Sequence, residues 1–273
     1  MTSGVKTLVS VKDKQSKDNL SIVAAGVAFY WFLAIFPAIA AAVSIFGLVA
    51  DPQELQRQIE SLSGVMPQQA YQILRTQLET IVRHSGGALG LGAIAGILLT
   101  LWSANKGMKA LITALNIVYN EEESRGFIKL NALSLLMTFC AIALGLIAII
   151  SVIAIPAIMS LLNLTSVFDI AFSYLRWPLL GLFLILGLAL AYRFCPDRKS
   201  AEWNWFSWGS VSATVLWLAA SILFSFYVAN FGSYSKTYGS MGAVIILLLW
   251  FFITSYIVLL GGELNVQKED RTK

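Results

Sequence analysis

From Leu130 to Phe168 this chain carries no charged residue. A helix needs roughly 20 predominantly apolar residues to cross the hydrocarbon of a bilayer. The run is long enough for one spanning helix and a turn beyond it, with Asn163-Leu164-Thr165-Ser166 supplying the turn. The whole chain agrees with a lipid address. Of its 273 residues 58% are hydrophobic and 12% charged, where a soluble domain has about 25% charged. So much apolar surface does not fit inside a globule of this size, so lipid must cover it. The expected fold is all-α: a polytopic membrane helix bundle of six transmembrane helices plus amphipathic outer helices, in one membrane domain over residues 1–273.

Residues 1–20 are polar, with Lys6, Lys12, Lys14 and Lys17, and read as a cytoplasmic N-terminal segment. The apolar run from Ile22 to Ala50 exceeds the roughly 7–15 residues of a signal-peptide core, so it reads as a retained helix. Pro37 is expected to kink it. Tyr30 and Trp31 read as packing residues or as side chains facing a cavity. Residues 51–86 read as an extracytoplasmic helical insertion. Leu55, Ile59 and Leu62 form one stripe; Tyr71, Leu74, Leu78 and Ile81 form another, opened by Pro67. His84, the only histidine, falls in a loop beside glycines and reads as a surface residue.

The next helix, Gly86 to Tyr119, poses the functional question. Gly86 and Gly90, and Gly92 and Gly96, are four apart, a spacing that lets helices approach closely. Asn105, Lys109, Ile112 and Asn116 then share one helical face, with Lys106 about 100° around from Asn105. Lysine is costly inside hydrocarbon. Two readings stay open. From Ala88 onward the helix would be about 48 Å long, so its second half could emerge and its lysines snorkel among headgroups. Alternatively, the polar face lines a wet pathway.

Glu121 to Arg125 form a charged turn before the uncharged run. Pro178 to Phe194 reads as a fourth span, flanked by Arg176-Trp177 and Tyr192-Arg193, and Cys195 to Lys199 as a charged inner loop. A fifth span runs roughly from Phe206 to Val228, behind an interfacial belt of Trp203, Trp205 and Trp208. Gly209 and Ala213 give it a small-residue face. Tyr238-Gly239-Ser240-Met241-Gly242 opens a sixth span that reaches Gly261-Gly262, and residues 263–273 form a cytoplasmic tail. The proposed inner segments carry twelve lysines and arginines and the outer segments five. By the positive-inside rule both termini are cytoplasmic. Cys140 and Cys195 suggest neither a disulfide framework nor a metal site.

A family resemblance rests on several motifs taken together. They are Ala25 to Pro37 with Phe29-Tyr30 and Phe36-Pro37, Leu101-Trp102-Ser103-Ala104, Ala114-Leu115-Asn116 with Tyr119, and Arg125. Further on come Tyr238 to Gly242 with Trp250, and Gly261-Gly262-Glu263-Leu264-Asn265. Over Asn19 to Asn265 the chain resembles the YihY/BrkB family of bacterial inner-membrane proteins. The resemblance implies a six-helix, multi-pass inner-membrane fold but no settled activity. Members have carried the label ribonuclease BN, and others are called virulence or serum-resistance factors.

The nuclease label finds little chemistry in these residues. Metal-assisted phosphodiester cleavage needs clustered carboxylate or histidine ligands, and here the acidic residues are scattered among loops. The expectation is therefore a protein that is not an enzyme, with no catalytic residues, no cofactor, no metal and no nucleic-acid partner. Its partners would be membrane lipids, with self-association permitted by the small-residue faces. Its function would be transport or flipping of a small polar or anionic solute or lipid. The candidate substrate-binding residues are Asn105, Lys106, Lys109, Asn116, Tyr30, Tyr238, Ser240 and Glu263, with Glu263 expected to pair with a lysine. The alternative is a structural or interaction protein of the cell envelope.

Overall fold

The computed structural model describes residues 14–49, 87–161, 166–198, 206–230 and 240–269. Among these residues six long helices follow a single helical turn at 14–17: α1 Leu20–Val49, α2 Gly87–Tyr119, α3 Phe127–Leu161, α4 Ser166–Phe194, α5 Trp208–Asn230 and α6 Ser240–Glu269. Among the described residues the protein is all-α. The outer helices expected over 51–86, the side chain of Pro37, Tyr238 and the turn residues 163–165 lie outside what is described.

Among the described residues, three helices carry a stretch long and apolar enough to cross a membrane: Phe127–Ala148, Trp208–Val228 and Val244–Glu269. Leu20–Phe36 and Pro178–Phe194 are shorter apolar stretches. The large side chains of α5 explain why lipid is needed. Ile222, Leu223 and Phe226 are 63%, 69% and 70% exposed, and such a continuous apolar face calls for cover. Hydroxyls inside the helices are satisfied locally. Thr138 Oγ1 donates to the Ser134 carbonyl at 2.7 Å and Thr214 Oγ1 to the Ser210 carbonyl at 2.8 Å, so neither needs water in an apolar setting.

The chain divides into two compact units, Met1–Tyr30 with Asn105–Lys273, and Trp31–Ala104. In the second unit, Phe32 and Phe36 meet edge to face at 5.1 Å, and Thr100 Oγ1 donates to the Gly96 carbonyl at 2.7 Å. In the first unit, Leu20, Ile112, Leu115, Val118 and Leu259 form a fully buried core. There α4 packs against α3 and α5, and α5 packs against α6.

The α5–α6 contact is made by the small residues expected from sequence. A Cβ on Gly209 would overlap the carbonyl oxygen of Gly261 and lie 2.6 Å from Asn265 Cγ. A Cβ on Gly261 would strike the Tyr192 hydroxyl and lie 2.8 Å from the Ala213 Cβ. Helices this close gain dispersion contacts along their backbones, the main attraction left to them in lipid. Further along, the indole of Trp217 donates to Thr254 Oγ1 at 3.2 Å and its ring lies 5.5 Å from that of Trp250.

Candidate functional site

The end of α2 is shaped by Asn120. Its φ of 54° is left-handed, a conformation asparagine tolerates better than most residues. The amide of Asn120 donates to the Ile117 carbonyl at 3.1 Å and that of Glu121 to the Asn116 carbonyl at 2.9 Å. This double closure is a Schellman motif. It leaves the Asn116 side chain, 5% exposed, pointing at the loops that follow. Asn116 Nδ2 donates to Glu123 Oε2 at 3.0 Å, and its Oδ1 accepts from the Asp197 amide at 2.8 Å.

Arg125 completes this network. Its Nε donates to Glu123 Oε1 at 2.6 Å and its Nη2 to Glu123 Oε2 at 2.7 Å, a bidentate pair. The same guanidinium donates to the carbonyls of Phe194 and Cys195 at 3.2 and 2.7 Å. It thus places a cation on the C-terminal carbonyls of α4, where the helix dipole favours one. Ser124 donates to Asp197 Oδ2 from its amide at 2.9 Å and from its hydroxyl at 2.5 Å. Hydrogen bonds from Arg125 hold the Glu123 carboxyl below the usual range, and those from Ser124 do the same for Asp197. The result is a latch joining the α2–α3 loop to the residues after α4.

The second constellation is buried. Glu263 on α6 is 0% exposed. The ammonium of Lys14 lies 3.2 Å from its Oε2 and donates to the Val118 carbonyl at 2.7 Å. Asp18, one turn after Lys14, brings its carboxyl within hydrogen-bonding reach of Glu263. Two ionised carboxylates are both acceptors, so neither satisfies the other. Among the described residues no well-aligned hydrogen bond reaches the buried Asp18 Oδ2 or either oxygen of Glu263, and Glu263 Oε2 has the Lys14 ammonium beside it as an ion pair. Asn19, with a φ of 49°, breaks the turn at 14–17 from α1 and so turns Lys14 and Asp18 toward α6. Nearby, Asn265 Oδ1 accepts from the Gly209 amide at 2.7 Å and its Nδ2 donates to the Tyr119 hydroxyl at 3.2 Å.

The residues singled out from sequence therefore fall in different places. Asn116 is the hub of the latch. Lys109 donates to Asn131 Oδ1 at the start of α3 and lies 5.9 Å from the Phe127 ring centroid. Lys106 is exposed and Asn105 half-buried, with a buried Oδ1 that has no donor among the described residues. Tyr30 is 39% exposed, its ring 5.6 Å from that of Phe29. Ser240 begins α6; its side chain, like Tyr238, lies outside the described residues. Glu263 has the lysine partner expected of it, and that lysine comes from the N-terminal segment. Sequence reading missed Lys14 and Asp18, because one lysine in a polar tail with four looks like any other. Among the described residues no three His, Cys, Asp or Glu side chains gather as a metal site.

Comparison with known proteins places the chain. The family described as "Virulence factor BrkB" matches residues 11–273. A Bacillus subtilis protein named "Putative ribonuclease-like protein YfkH" is 31% identical over 258 residues, 91% of this chain and 90% of the relative. A "UPF0761 membrane protein" of Aeromonas salmonicida is 28% identical, over 90% of this chain and 83% of its own. Another from Tolumonas auensis is 24% identical, over 90% and 80%. No solved structure matches. With nearly the full chain matched, this protein belongs to the BrkB (UPF0761) family of membrane proteins.

Proposed function

We propose that the protein is a carrier or flippase that moves a small polar or anionic solute, or a lipid headgroup, across a bacterial inner membrane. In this reading all six helices cross, both termini are cytoplasmic, and no catalytic step is involved. One observation carries it: Glu263, fully buried in an apolar helix, meets a lysine from the N-terminal segment. Ionisable groups in membrane helices are expensive and tend to mark substrate or ion paths. A purely structural contact would be at least as well served by hydrocarbon, since replacing buried ion pairs with apolar residues is often neutral or stabilising. Lys106 and Lys109 then supply positive charge on α2 for an anionic group to approach.

The test is flux. Purified protein in sealed vesicles is screened with labelled organic anions, inorganic phosphate and fluorescent phospholipids, beside Lys106→Ala/Lys109→Ala and Glu263→Gln variants. Transport lost in both variants supports the carrier. If no probe moves, and crosslinking in cells recovers a stoichiometric envelope partner, the protein is a scaffold.

A further inference from the structure

We infer that Asp18 and Glu263 form a proton-binding site, and that the carrier proposed above takes up its proton there. The site rests on geometry; only its use in transport rests on the carrier reading. The two carboxyls face each other with Lys14 beside them. If both were ionised, the three groups would hold one net negative charge. Among the described residues, the buried Asp18 Oδ2 and Glu263 Oε1 would have no hydrogen-bond donor, and Glu263 Oε2 would have only the ion pair with Lys14. One ammonium does not repair this: Lys14 donates to the Val118 carbonyl and lies beside Glu263 Oε2, which leaves Glu263 Oε1 and Asp18 Oδ2 unserved. Uncompensated charge is costly away from water.

One proton removes both defects. It arrives from water and bonds to one carboxylate oxygen. The resulting acid donates to the facing carboxylate, so two acceptors become a donor and an acceptor. The ammonium of Lys14 then balances the single remaining charge. Like-charged carboxyls held this close share a proton for the same reason elsewhere.

The surroundings allow such a site to do work. On α2 the Tyr119 hydroxyl accepts from Asn265, two residues beyond Glu263 on α6. Tyr119 also carries the Arg198 guanidinium 4.5 Å above its ring, and Arg198 is bonded to Glu269, so that cation is already spoken for. Both Lys14 and Asp18 sit ahead of the left-handed Asn19. Gln15, between them, accepts from the Tyr256 hydroxyl at 3.3 Å. Losing the proton would set two carboxylates against each other and push the N-terminal turn off α6. Proton occupancy and the seating of that turn are therefore linked.

The experiment is an infrared pH titration of the full chain in lipid nanodiscs, following the C=O stretch of protonated carboxyl groups. The wild type should show a band that disappears as pH rises, and both Glu263→Gln and Asp18→Asn should remove it. Lys14→Met should move the disappearance to higher pH, because the cation that favours ionisation is gone. Should Glu263→Gln fail to fold, Asp18→Asn alone carries the test. A band absent from the wild type, or surviving both substitutions, overturns the site. A band erased by sodium but not choline at fixed pH also overturns it, and assigns the oxygens to a metal cation. An intact, substitution-sensitive band in a protein that moves no solute refutes the carrier while supporting the proton site.

Discussion

Asn116 accepts the backbone amide of Asp197 at 2.8 Å across 81 residues of chain. The bond ties the end of α2 to the loop beyond α4. The Nδ2 of Asn116 donates to Glu123, so one buried side chain spans two loops. Replacing Asn116 with Ala removes both partners at once and leaves a part-buried backbone N–H without its acceptor. Such a loss costs about 1–3 kcal/mol. Thermal unfolding in detergent should show a clearly lowered midpoint. Asn116→Asp should be worse than Ala, since it turns the donor facing Glu123 into a second negative charge. Equal midpoints for Asp and wild type would remove Asn116 from its place at the hub.

The latch should also be acid-sensitive. Hydrogen bonds lower the folded-state values of Glu123 and Asp197 below those of the unfolded chain. A depressed carboxyl contributes stability that is fully present above its unfolded value, about 4. That stability is lost as pH falls through the lower folded value. The midpoint should thus be flat near neutrality and fall below about pH 4. Arg125 stays cationic throughout, its value raised further by Glu123. Glu123→Gln should blunt the acid dependence. Both groups lie at the protein surface with part of each carboxyl open to water, so screening by water and salt keeps the effect modest, and a profile steeper in Gln than in wild type would contradict it.

Much of this architecture was legible because lipid imposes simple rules. The uncharged run after Leu130 marked α3, and the small residues Gly209 and Ala213 marked a close helix contact whose other side is Gly261, because few side chains permit such an approach. The charged cluster was only half legible. Glu263 stood out as an acid at the end of an apolar run, whereas Lys14 and Asp18 did not, since nothing local says which lysine in a polar tail folds back. The face shared by Asn105, Lys109 and Asn116 is real as helical spacing. Its members then part company: Lys109 reaches Asn131 on α3 and Asn116 reaches the loops. Periodicity assigns a face, and tertiary partners decide what each residue on it does.

The glycine contact makes a sharp contrast available. Gly209→Ala drives a Cβ into the Gly261 carbonyl, a backbone atom that moves only if a whole helix moves. Overpacking of this kind typically costs about 1–3 kcal/mol. Gly145→Ala on α3 meets nothing within 4 Å and should be neutral or gain about 0.5–1 kcal/mol from better helix propensity. The midpoint in detergent should therefore fall for Gly209→Ala and hold or rise for Gly145→Ala. Two parallel losses would mean that glycine at these positions matters for the backbone alone.

Cys195 offers a readout of the latch itself. Its thiol is fully buried, and burial pushes it up to about 12 despite the nearby Arg125. A buried, protonated thiol is a poor nucleophile, so maleimide near neutral pH should label Cys195 slowly in the folded protein and fast in denaturant, as followed by peptide mass spectrometry. Arg125→Ala separates two effects of opposite sign. Losing the cation makes the thiol harder to ionise and, alone, would slow labelling. Losing the bonds to Glu123 and to the Phe194 and Cys195 carbonyls frees the loop, and one such charge-assisted bond is worth about 1.5–3 kcal/mol. That exceeds the 1.4 kcal/mol of a tenfold change in opening, so labelling should rise by roughly tenfold or more if local opening limits it. A fall in rate would mean that the loop stays shut without Arg125, and that the guanidinium acts on the thiol only through its charge.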